Sequence, residues 1–165
     1  MVVTLAKMNP FSKLLQATIL LGCAFMLPAA DADDLVIADF ESQNYGNWKS
    51  TGMAFLHGPA RREQLTTLEI ENATGSGVAS SEIEGDAPQG TLTSPEFKIQ
   101  RAYVSFLVAG GDYERHTCLN LLVGGKIVRS ATGWNSDRLV PVSWDVRPFA
   151  GQPAQIQIVD EASGG

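Results

Sequence analysis

Along the chain, apolar positions come in short runs or strict alternation and never settle into a sustained helical period. Alternating or compact apolar segments predict strands over residues 35–40, 53–56, 77–81, 91–94, 97–99, 103–109, 118–123, 127–132, 139–146 and 154–159. Between them stand turn-forming pairs, among them Gly46-Asn47, Gly58-Pro59, Gly85-Asp86, Gly110-Gly111, Gly124-Gly125 and Arg147-Pro148. Gly124-Gly125, flanked by two strong strand signals, is the clearest two-residue hairpin. A single sheet of so many short strands would leave an apolar face in water. The pattern therefore predicts an all-β fold, an antiparallel two-sheet jelly-roll sandwich. Residues 57–77 are polar and rich in turn residues, with Leu65, Leu68 and Ile70 spaced between, and predict a long loop wrapping the sandwich.

The opening segment follows another rule. Lys7 and Lys13 precede an apolar run over residues 14–27, broken only by Gln16, Thr18 and Gly22. Ala30 and Ala32 place small residues at −3 and −1 of a cut after Ala32. The run is shorter than the roughly 20 residues that span a bilayer, and nothing basic follows it, so a cleaved signal peptide is expected in place of a membrane anchor. Leu20-Leu21-Gly22-Cys23 offers a rival lipoprotein cut before Cys23, but Ala24-Phe25-Met26-Leu27 stays apolar where lipoproteins turn polar. The expected division is a signal peptide at 1–32 and one β-sandwich module at 33–165, secreted or periplasmic and free of the membrane after cleavage.

Charge and cysteine content narrow the functions. Without residues 1–32 the chain keeps ten of its twelve basic and seventeen of its eighteen acidic residues, a net charge of −7 that repels nucleic acid. Cys118 is then the one thiol, so no intramolecular disulfide is expected. It lies in an apolar strand, as a packing residue does. His116, two residues away and on the same strand face, is the one candidate base for a thiol nucleophile. No Gly-x-Ser-x-Gly elbow and no zinc-ligand spacing occurs. Asp112, Glu114, Asp137 and Asp145 would have to converge across loops to form a glycosidase-like carboxylate pair, so the chain is not expected to be an enzyme. No cofactor is expected. A structural calcium ion held by Asp39, Glu41 and Asp160 stays open if the first and last strands meet.

Sugar binding has better raw material. Sugars offer flat apolar faces and hydroxyl rims, which aromatic rings and Arg, Asn, Asp or His groups recognise. Asp112, Tyr113, Arg115 and His116 in one loop, with Trp134 and Asn135 in another, supply that mixture. Trp134 stands out because it sits in a turn between polar residues, whereas Trp48 and Trp144 are flanked by strand signals and read as core.

Several segments carry a family resemblance. Ile37-Ala38-Asp39-Phe40-Glu41 with Tyr45-Gly46-Asn47-Trp48, Gly90-Thr91-Leu92-Thr93-Ser94-Pro95, the strand around Phe106, Leu119 to Lys126 and Ser143-Trp144-Asp145-Val146 follow in order. Together they resemble the amino-terminal accessory β-sandwich of secreted levanases and related fructan hydrolases, glycoside hydrolase family 32. That resemblance implies a galactose-binding-like sandwich serving as a non-catalytic, carbohydrate-associated module. Its implied partners are a polysaccharide such as fructan or a family 32 catalytic domain; the alternative is a purely structural or protein-interaction domain. The family's catalytic propeller carries Asn-Asp-Pro, Arg-Asp-Pro and Glu-Cys motifs, none of which occurs here. In the family a final strand follows the double glycine that Gly164-Gly165 resembles; without it, residues 35–40 are expected to form an exposed sheet edge.

Overall fold

The computed structural model describes residues 1–9 and 33–162. Two antiparallel six-stranded sheets face each other as a sandwich. The first has the order β11 (Ser136–Asp145), β8 (Tyr103–Gly110), β1 (Val2–Asn9), β5 (Gly77–Ser80), β4 (Ala60–Arg61), with β2 (Leu35–Ala38) also on β1. The second runs β10 (Lys126–Ala131), β9 (Thr117–Val123), β12 (Pro153–Asp160), β6 (Gly90–Thr93), β3 (Lys49–Gly52), with β7 (Phe97–Lys98) on β12. The all-β sandwich read from the apolar pattern is the observed fold.

Strand alternation builds the core. Val104, Phe106 and Val108 of β8 point inward against Leu119 and Leu121 of β9 and Ile156 and Ile158 of β12, and Trp144 packs its ring on Phe106 with centroids 4.6 Å apart. A second, smaller apolar cluster lies on the outer face of the first sheet, where Val2, Val78, Ala109 and Leu139 meet Ala60 and Leu65. The first sheet is thus covered on both faces, which accounts for β5 being buried along its whole length. At the β9–β10 hairpin, Val123 pairs with Lys126 across Gly124 (φ 57°) and Gly125 (φ 74°), the double left-handed turn that two glycines permit.

Two expectations change. Residues 53–56 form no strand: Gly52 turns with φ +68° and lies so close to Gln89 that a Cβ there would meet its carbonyl oxygen at 2.2 Å. Met53 and Ala54 then both donate to that carbonyl, and Ala54 and Phe55 plug the core from a turn. The strand falls instead on the polar Lys49–Gly52, paired with β6. The expected loop at 57–77 contains β4 and a short helix, α1 (Arg62–Thr67), whose Leu65 closes the outer cluster. Six residues are too few to show a helical period in sequence. Val2–Asn9, at the start of the expected leader, forms β1, while the apolar run and the cleavage position fall within residues 10–32, outside the described residues. Among the described residues β2 pairs only with β1, which leaves its other side as an edge, and Val36 on it is 59% exposed.

Candidate functional site

Where the edge strands β10 and β11 of the two sheets stand side by side, the sandwich opens into a groove of about 670 Å³. Its floor and walls come from Asn120, Ile127, Ser130, Val142 and Trp144, and its rim from Asp112, Glu114, Arg115 and Trp134. The rim residues sit on two loops, the β8–β9 connection and the β10–β11 turn.

Backbone geometry locks these loops together. Gly133 N–H donates to the Gly111 carbonyl at 2.9 Å, and Gly133 lies so close to β8 that a Cβ would sit 2.2 Å from the Gly110 nitrogen. Asp112 ties both loops, accepting from the Thr132 hydroxyl at 2.5 Å while its own N–H donates to the Asn135 side-chain oxygen at 2.9 Å. The β8–β9 loop closes on itself, with His116 and Thr117 N–H both donating to the Tyr113 carbonyl. Arg115 (φ 72°), Trp134 (φ 55°) and Asn135 (φ 53°) are non-glycine residues held in the left-handed region. Three such costly conformations on the loops around one groove are backbone strain concentrated at a site.

The structure thus brings Asp112, Arg115 and Trp134 to one concave surface. Trp134 is 52% exposed. Asn135 serves the scaffold by holding the Asp112 amide. Tyr113 turns to a separate cavity of about 70 Å³, beside Met1, Glu82, Asp86, Thr117 and Asp160. His116 is exposed and pairs its Nδ1 with Glu161 at 3.9 Å. Asn120 and Ser130 are polar groups of the groove that sequence reasoning passed over. A signal for Asn120 existed, since an amide in the middle of an apolar strand needs a polar neighbour.

The remaining chemistry is dispersed. Cys118 is fully buried, its S–H directed at the Asn120 side-chain oxygen at 3.5 Å, and burial pushes its pKa up, away from thiolate character. His116 lies out in solvent and paired with Glu161, so Cys118 and His116 do not form a nucleophile–base pair. Of the four scattered acids, Asp112 and Glu114 reach the groove, Asp137 lies in a hollow beside Glu69 and Glu71, and Asp145 is clasped by Arg147. Hydrogen bonds from the Arg147 side chain, and then from its backbone, are the main reason the Asp145 carboxyl drops to about 2. Asp39 and Glu41 stand by the Phe40 turn, where Glu41 accepts from Ser76 and Gly77 N–H, while Asp160 lies at the Met1 end of β1. Among the described residues no group of three or more His, Cys, Asp or Glu side chains is placed to hold a metal ion.

Comparison with known proteins gives one informative relative. Over 136 residues, 81% of this chain, the sequence is 36% identical to a protein of Aspergillus rugulosus named as a glycosyl hydrolase, ecdE. The chain spans 19% of that protein's length. No family model matches the chain. No solved structure matches it. A relation to a glycosyl hydrolase is therefore established over most of the chain.

Proposed function

We propose that this chain is a non-catalytic carbohydrate-associated module of a secreted levanase-type protein, and that the groove between β10 and β11 binds polysaccharide such as fructan. The observation that carries this reading is Trp134, an exposed indole presented by a locked, strained turn beside Asp112, Arg115 and Asn120. A half-exposed indole stacks on a sugar face, and a guanidinium, a carboxylate and an amide satisfy vicinal hydroxyls in both donor and acceptor senses. An open groove suits a length of polymer. The glycosyl hydrolase relative, about five times longer than the matched segment, supports a hydrolase as the parent protein.

Affinity electrophoresis in levan and inulin gels tests the reading. Retardation of the chain, lost in Trp134→Ala with an unchanged melting temperature, is the expected result, and the loss should exceed tenfold in affinity, about 1.4 kcal/mol. Equal mobility in both gels and in a polysaccharide-free gel would refute it. A second reading, attachment to a family 32 catalytic domain, is favoured by Ile127, an apolar side chain of the groove wall that is 55% exposed.

A further inference from the structure

Strand β1 is made of residues whose sequence context assigns them to a removable leader, yet it lies inside the first sheet and is paired on both sides. Val2–Val3 pair with Ser80–Ala79 of β5 on one side and with Ala109–Val108 of β8 on the other. Further along, Ala6, Lys7 and Met8 pair with β2, while Lys7–Asn9 continue along Ser105–Tyr103 of β8. Its described side chains are buried on both faces. Val2 enters the outer cluster with Leu65 and Leu139, while Met1, Val3 and Met8 enter the main core. Simple alternation would send positions 3 and 8 to opposite faces; the register shift between Thr4 and Lys7 restores Met8 to the core side. The leading end is fitted as well. The Met1 ammonium donates to the Ser81 hydroxyl at 2.6 Å and reaches Glu82 at 3.3 Å and Asp160 at 3.4 Å, and Ser81 also hydrogen-bonds Asp160.

Taking β1 away would leave β2 without a strand partner among the described residues and β5 with only the two-residue β4. Strands pair at about 4.8 Å, so β8 and β5, flanking a central strand, stand about 9.6 Å apart and cannot pair with each other. What remains is a slot one strand wide, with backbone donors and acceptors on both walls, apolar pockets on both faces and an acidic cage at one end.

We propose that this slot is a strand-acceptor site, that its occupant is Met1–Asn9, and that the segment is held there as a separable strand by its own pairing, burial and ammonium contacts, independent of the covalent link through residues 10–32. The site accepts an antiparallel peptide with a free ammonium at its leading end and apolar side chains at positions 1, 2, 3 and 8. The slot and the groove involve different residues, so the inference stands apart from carbohydrate binding; it concerns the chain that keeps residues 1–32, since removal of a leader at residue 32 would empty the slot.

The full chain, carrying a specific protease site inserted within residues 10–32, is folded and then cut. Native mass spectrometry should find the Met1–Asn9 fragment still bound. Excess synthetic peptide of that sequence should displace it, whereas the amino-acetylated peptide should compete at least tenfold more weakly, a preference that Asp160→Asn abolishes. Release of the fragment on cutting overturns the proposal, whether or not the remainder stays folded, and equal competition by the acetylated peptide overturns the role of the acidic cage. In the uncut chain, hydrogen exchange supplies an independent measure: the amides of β1 should be as protected as those of β8, and fast exchange along β1 overturns the assignment.

Discussion

Asp145 shows how a single side chain is tuned by a neighbour two residues on. Arg147 Nε approaches both carboxylate oxygens, at 3.0 and 3.1 Å, and Nη2 reaches Oδ2 at 2.5 Å. The Asp145 carboxyl is thereby lowered from 3.8 to about 2. A depressed carboxylate pKa means that the pair's stabilisation is complete above the unfolded value near 3.8 and is lost as pH falls through about 2. Arg147→Ala should therefore raise the Asp145 titration, followed by NMR, part of the way back toward 3.8, because the backbone N–H of residue 147 still donates to the carboxylate. The stability difference between the two proteins, small because the pair is exposed, should be constant at neutral pH and vanish between pH 3.8 and 2. Sequence alone made the Arg147-Pro148 turn legible, but not the clasp. The same limit applies at the groove: Trp134 was recognisable as a ring in a turn, whereas the inward placement of Asn120 and Ser130 depends on two edge strands meeting across the sandwich.

Elements were legible where local chemistry agreed with the long-range packing. β8, β9 and β12 alternate or run apolar because both sheets bury them, and the Gly124-Gly125 turn admits a tight reversal. β3 was invisible because all four of its residues are exposed; its pairing with β6 comes from backbone register, with Thr51 and Thr91 hydroxyls bonded at 2.8 Å, and carries no apolar signature. The β10–β11 turn shows the converse, a glycine whose purpose becomes visible only in three dimensions. Gly133→Ala would drive a methyl group into the backbone of β8, where neither Ala109 nor Gly110 can yield without breaking the β8–β11 ladder. It is expected to cost about 1–3 kcal/mol, the range for overpacking a tight site. Because the displaced turn carries Trp134, any polysaccharide affinity should fall as well. Chemical denaturation paired with affinity electrophoresis checks both effects, and an unaltered midpoint would show that the loops are not locked through this glycine.

Across the whole molecule, the two apolar clusters are mechanically one because the same strands serve both. In β1, Val3 faces the main core and Val2 the outer cluster; in β8, Val108 and Ala109 divide the same way. Neither cluster can open without disturbing a strand that lines the other, so the sandwich with its α1 cover should unfold as a single cooperative unit. Leu139, fully buried in the outer cluster on β11, offers the most direct test. Leu139→Ala removes three carbons from that cluster alone and should cost about 2–5 kcal/mol, as other buried leucine truncations do. If the clusters are coupled, indole fluorescence, assigned to Trp144 in the main core by comparison with Trp48→Phe and Trp134→Phe, and far-UV dichroism should shift to lower denaturant together, with coincident midpoints and an unchanged slope. Were the outer cluster a separate cap, the dichroism change of the 60–73 segment would come first and the Trp144 signal would keep its original midpoint, because the core around Phe106 would survive the loss of its cover.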